Sequence, residues 1–172
     1  TITFYHPQSN SLPGAVLRSL AQNIENEGKH EDSKVIVLQS VGDKAFCAGA
    51  SFDELIAIED LETGQRFFSG FAMVINALRQ CPKLVIGRVQ GKAVGGGVGI
   101  ASSVDYCFAV EGATVKLSEL AVGIGPFVIE PAVSRKIGKM AFAEMTLTPT
   151  EWKSASWGKE KVFLNLMLGG CS

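Results

Sequence analysis

Gly91-Lys92-Ala93-Val94-Gly95-Gly96-Gly97-Val98-Gly99-Ile100-Ala101-Ser102-Ser103 is the stretch on which the reading of this chain turns. It follows an apolar run, Leu84-Val85-Ile86-Gly87-Arg88-Val89, that reads as a β-strand, and it ends in small residues that suit a short helix. Four glycines crowd positions 95 to 99, where strand hands over to helix. Without Cβ atoms this backbone can take positive φ and let another group approach its N–H donors, several of which a helix start leaves unpaired and aimed at negative charge. Close packing of the helix on the sheet accounts for the same glycines. A dinucleotide fingerprint does not fit, because Ser102 stands where the third glycine of G-x-G-x-x-G belongs, and the Gly-Lys-Ser/Thr ending of a P-loop is missing.

On the N-terminal side the same theme recurs. Lys44-Ala45-Phe46-Cys47-Ala48-Gly49-Ala50-Ser51-Phe52-Asp53-Glu54-Leu55 places small residues after the buried strand Val35-Ile36-Val37-Leu38 and ahead of a helix. Gly49-Ala50-Ser51 is not a nucleophile elbow: Asp53 holds the last glycine position, and neither His6, before Pro7, nor His30, in a charged turn, makes a convincing triad partner. What the two small-residue loops can supply is one backbone N–H each. Two such donors on one oxygen make an oxyanion hole.

Further out, Ile2 and Phe4 alternate with polar residues in an opening strand, and Leu17, Leu20 and Ile24 fall at helical spacing. Residues 40–51 read as a loop. Phe68, Phe71, Ile75 and Leu78, flanked by Phe67 and Val74, form an amphipathic helix that Cys81-Pro82 stops. Tyr106 to Val110 and Val115 to Leu117 read as two short strands, and residues 128–157 as mostly helix, broken near Thr148-Pro149. Strands alternating with helices, without repeat or linker, predict one α/β domain.

Composition narrows the function. The chain has 172 residues, 47% apolar and 19% charged, with 17 acidic against 16 basic side chains, enough for one sizeable core and no footprint for nucleic acid or an anionic membrane. Stretches without Asp, Glu, Lys or Arg reach 17 residues, at 1–17, short of the roughly 20 that span a bilayer. Cys47, Cys81, Cys107 and Cys171 form no C-x-x-C pair, so free thiols in a reducing compartment, the cytoplasm, are expected, and no His-based metal site is encoded. The start lacks both Met and a signal segment, which predicts a processed chain or a piece of a longer one.

Taken together, four motifs resemble the crotonase superfamily, the enoyl-CoA hydratase/isomerase family. They are His6-Pro7-x-x-Asn10-Ser11-Leu12, Phe46-Cys47-Ala48-Gly49-Ala50, Gly91-x-Ala93-x-Gly95-Gly96-Gly97, and Ser118-Glu119-Leu120-Ala121-Val122-Gly123-Ile124-Gly125-Pro126. The resemblance implies a spiral of repeated ββα units over residues 1–161, with the terminal helical region truncated, the first strand missing and an atypical apolar tail at 162–172. It implies an acyl-CoA thioester as substrate, with coenzyme A part of that substrate and no separate cofactor. It also implies a homo-oligomer, trimer or hexamer.

By the same resemblance the N–H groups of Ala50 and Gly96 hold the thioester oxygen and Glu119 is the acid/base. Ala48, Gly49, Gly95, Gly123, Pro126 and Phe127 then lie against substrate, Ala48 at the adenine end. The family's hydratases use two glutamates; here Gly99 holds the first one's place and only Glu119 remains. A single carboxylate suits 3-enoyl-CoA to 2-enoyl-CoA isomerisation. Apolar neighbours Leu117, Leu120 and Val122 would partly desolvate Glu119 and strengthen it as a base. Hydration, decarboxylation, thioester hydrolysis and a non-catalytic acyl-CoA-binding role stay open. Ser51 stands where many members have Asp, and Phe127 replaces a common glycine, which would narrow or reshape the acyl pocket.

Overall fold

In the computed structural model, which describes residues 1–168, four ββα turns follow one another. The first is β1 (Ile2–Phe4), β2 (Ser11–Leu12) and α1 (Gly14–Lys29). The second is β3 (Val35–Ser40), β4 (Ala45–Cys47), β5 (Gly49–Ala50), α2 (Phe52–Ile56) and α3 (Leu61–Gln80). The third is β6 (Leu84–Val89), β7 (Lys92–Val94) and α4 (Gly96–Ser103). The fourth is β8 (Tyr106–Val110), β9 (Thr114–Lys116), a 3-10 turn (Glu119–Val122) and α5 (Glu130–Ile137). After them come α6 (Lys139–Leu147), β10 (Lys153–Ser154), α7 (Ala155–Glu160) and β11 (Leu166–Leu168).

The leading strand of each turn enters one parallel sheet, ordered β1-β3-β6-β8-β11, and later strands form a second sheet, β10-β9-β7-β4, with a β2-β5 pair beside it. Parallel neighbours need long crossovers, which the helices supply. This is the crotonase-like α/β spiral that the motifs imply. Its core lies between the parallel sheet and the helices: Ile36, Leu38, Val85 and Val89 point inward from β3 and β6 against Leu17, Leu20 and Ile24 of α1 and Val74, Ile75 and Leu78 of α3.

Three readings change. Residues 40–51 carry two short strands, β4 and β5, and β7 interrupts the run from β6 to the glycines. All three span two or three residues, too few for a periodic pattern to show. Helix in residues 128–157 breaks first at Gly138, whose φ of 81° and ψ of 157° end α5 and start α6, and a strand, β10, follows Thr148-Pro149. The described part of the apolar tail folds back onto its own domain: Phe163 and Leu164 are buried and β11 pairs in parallel with β8. Residues 169–172, including Cys171, lie outside the described residues. The other three cysteines are free, and burial pushes the Cys47 and Cys107 thiols up to about 12, leaving both inert. No helix among the described residues is long and apolar enough to cross a membrane.

Candidate active site

The register of the second sheet brings the two glycine loops together. β7 lies parallel to β9, with Val94 opposite Lys116, and the Gly95 N–H donates to the Lys116 carbonyl at 3.0 Å. The segment leaving β9 therefore runs beside the glycine triplet, and Glu119 arrives three residues later at Gly95 itself. Gly95 has φ 52° and ψ −115°, a conformation favouring glycine. A Cβ there would sit 2.8 Å from Glu119 Oε1, so the carboxylate rests directly on this backbone.

α4 begins at Gly96, and its hydrogen bonding starts with the Val98 and Gly99 N–H groups on the Gly95 carbonyl at 2.9 Å and 3.1 Å. The N–H groups of Gly96 and Gly97 precede it. A side chain at Gly96 would overlap the Phe71 ring, 2.4 Å from a Cβ, and one at Gly97 would meet the Cys47 carbonyl at 2.5 Å. These glycines therefore permit close packing, and that packing fixes the helix start against β4 and β5.

Between these loops and α3 lies a cavity of about 250 Å³. Ala48, Gly49, Ala50, Gly95, Gly96, Glu119 and Pro126 all line it. Gly123 and Phe127 do not. Gly123, at φ 78°, closes the 3-10 turn by donating to the Glu119 and Leu120 carbonyls, and the Phe127 ring folds over Gly125 with 82% of the residue exposed. Phe127 thus stands outside the wall of this cavity. The wall is instead built by Phe67, Phe68 and Phe71 of α3 with Phe52 and Leu55 of α2. Sequence periodicity assigned that α3 stripe to the core; the signal for the cavity was its width, since Phe67 and Phe68 extend it beyond the face that Val74 and Leu78 bury.

Glu119 is the one ionisable side chain on the cavity wall among the described residues. Its Oε2 is buried without a hydrogen-bond partner there. Burial raises its carboxyl above the ordinary carboxylate range, while backbone N–H groups of Glu119 and Ser118 oppose this more weakly. Gly99, by contrast, has no room for a second carboxylate: a Cβ would lie 2.6 Å from Ile129 Cγ2 and 3.3 Å from Ile75 Cδ1. The site is thus an apolar pocket with one desolvated carboxylate beside a helix start.

The sequence profile of the enoyl-CoA hydratase/isomerase family matches residues 1–158. The chain belongs to this family. Among curated relatives, the bacillaene synthase dehydratase PksH of Bacillus subtilis is 30% identical over 163 residues, 91% of this chain and 62% of that protein. Human mitochondrial 3-hydroxyisobutyryl-CoA hydrolase is 27% identical over 73% of this chain and 33% of its own length. The crystal structure of an enoyl-CoA hydratase from Mycobacterium smegmatis superposes with a TM-score of 0.91 at 30% identity, covering 97% of this chain and 65% of that one. This crotonase-family chain therefore spans less than two thirds of these relatives, and the part they share holds both glycine loops and Glu119.

Proposed function

We propose that this chain catalyses proton transfer on an acyl-CoA thioester through an enolate, converting a 3-enoyl thioester to the conjugated 2-enoyl thioester. The observation that carries this reading is the pairing of one desolvated carboxylate, Glu119, seated on Gly95, with a Gly99 position that Ile129 fills. The Ala50 and Gly96 N–H groups hold the thioester oxygen. The Glu119 carboxylate takes the C2 proton, the C2–H electron pair moves into the carbonyl, and negative charge develops on the held oxygen. When the carbonyl re-forms, the C3–C4 double bond takes the proton at C4 from Glu119 and a C2–C3 double bond results. No atom is gained or lost and one carboxylate suffices. Coenzyme A enters as part of the substrate, and no separate cofactor takes part.

A second reading is dehydration, which the 30% identity to a dehydratase over 91% of the chain favours. Glu119 would then take the C2 proton of a 3-hydroxyacyl thioester and return it to the leaving hydroxyl, giving 2-enoyl thioester and water. Purified protein offered 3-enoyl-CoA, 3-hydroxyacyl-CoA and 2-enoyl-CoA separately decides between them, with conjugated-thioester absorbance as the readout. The isomerase reading expects absorbance to grow from 3-enoyl-CoA alone. Growth from 3-hydroxyacyl-CoA instead selects dehydration, and binding without any turnover ends both.

A further inference from the structure

Phe71 lines the cavity from the middle of α3, and the same buried ring lies against α4 where a Gly96 Cβ would stand, with Cε1 and Cζ 2.4 Å and Cδ1 2.6 Å from that position. A phenyl ring is a rigid plate on two torsions, so the distance at which it stops α4 is set by where α3 stands. α3 is itself fixed at this level: a Cβ on Gly70 would lie 2.8 Å from Leu17 Cδ1, so α1 backs α3 one residue before the ring. Close contact thus runs from Leu17 of α1 through Gly70 and Phe71 to the first residue of α4. The rest of that helix turn is held from other directions. A Cβ on Gly97 would meet Cys47 Cβ at 2.8 Å, and one on Gly99 would meet Ile129 Cγ2 at 2.6 Å. Residues 96, 97 and 99 lie at different angles around a helix of 3.6 residues per turn, so the three contacts close on it from three sides. The Phe71 contact is the one that falls on Gly96, whose N–H precedes the hydrogen bonds of α4.

We infer that Phe71 is a positioning residue: its ring fixes the place of the Gly96 N–H relative to the Ala50 N–H, and thereby how strongly the pair holds a thioester oxygen. This deepens the proton-transfer reading above and rests on its pair of donors. Charge on that oxygen grows as the C2 proton leaves, so a donor set back from its place weakens the transition state more than the bound ground state. A side chain that packs the acyl group and does nothing else acts on KM instead. Phe71 therefore acts on kcat, while Phe67, which lines the same cavity, acts on KM.

The test compares the whole chain as wild type, Phe71→Leu, Phe67→Leu and Gly96→Ala, with folding followed by circular dichroism. Steady-state kinetics with 3-enoyl-CoA is one readout. The other is the infrared spectrum of bound hexanoyl-CoA, isotope-labelled at its thioester carbonyl: this saturated chain has no double bond to move, so the band reports hydrogen bonding to the oxygen apart from turnover. The wild type should shift that band to lower frequency. Phe71→Leu should lose most of the shift and about tenfold or more in kcat, with KM within about threefold, whereas Phe67→Leu should keep the shift and raise KM. Gly96→Ala, whose methyl competes with the ring for one space, should lose the shift as well. In Gly96→Ala/Phe71→Leu the methyl takes room the ring has left, so the combined loss in kcat should be smaller than the product of the single losses. A fully shifted band in Phe71→Leu, or a loss confined to KM, overturns the inference; so does a wild type that leaves the band unshifted, since no held oxygen is then there to position. A wild type that shifts the band without converting 3-enoyl-CoA ends the isomerase reading, and the band in Phe71→Leu still decides the role of the ring. If Phe71→Leu does not fold, a fully shifted band in Gly96→Ala overturns the inference in its place.

Discussion

Glu119 is expensive to keep charged, and that cost is what makes it a useful base. Its buried, unpartnered Oε2 favours the neutral form, so its pKa in the folded protein lies above the unfolded value of about 4.3. Folding therefore binds a proton in this window: the contribution is fully stabilising below the unfolded value and is lost as pH rises through the folded one. Glu119→Gln removes that loss. At pH 8 the variant should melt about 2 °C higher than the wild type, the gap should close toward pH 4, and turnover should fall by about 100-fold or more. Calorimetry paired with kcat checks this, and a lower melting temperature with retained turnover would contradict it. The acid limb of wild-type kcat/KM should lie above the ordinary carboxylate range. Gly99 shows the other side of residue-scale reading. That it stands in a glutamate's place is visible in the chain, but that Ile129 fills the space is not, because those residues meet only through the fold. Gly99→Glu should therefore not create a second base; it should cost about 3 kcal/mol in urea unfolding, through overlap with Ile129 and burial of an unpaired carboxyl.

At the scale of elements, the loop bearing Ala48 to Ala50 is held by two buried amides. Asn10 Nδ2 donates to the Val41 and Ala45 carbonyls, each at 2.9 Å, its Oδ1 accepts from the His6 N–H at 2.8 Å, and its carbonyl accepts from the Ala48 N–H at 3.3 Å. Gln90 Nε2 adds bonds to Ser40 Oγ at 2.8 Å and the Gly42 carbonyl at 2.9 Å. Asn10 adopts φ 55°, where asparagine is tolerated far better than most residues. Asn10→Ala thus strands the His6 N–H and the Val41 carbonyl, while the Ala45 carbonyl keeps Gln90 and Ser40, and it strains the turn; it should cost about 2–4 kcal/mol in urea unfolding. The folded fraction should turn over more slowly, because the loop is no longer pinned; unchanged stability would show that this node is not what holds it. The long helices and the leading strands were legible because periodicity marks them. β4, β5, β7 and β10 were not, since strands of two or three residues are made by neighbours that the chain brings up from elsewhere.

For the whole molecule, a chain this apolar need not hide all of its apolar surface in one core. Leu61, Phe127, Met140 and Leu147 are each more than 70% exposed. Met140 and Leu147 stand two turns apart on one face of α6, with the exposed Glu144 between them. Large apolar side chains this exposed are suited to burial against another chain. We propose that copies of this chain associate through α6. Light scattering should return a mass that is a multiple of the single chain, and Met140→Glu/Leu147→Glu should shift it to one chain. The two residues lie on a helix that contributes nothing to the cavity wall, so kcat in that variant should stay within about twofold. A wild-type protein that remains a single chain at the highest concentration measured would remove α6 as an association face.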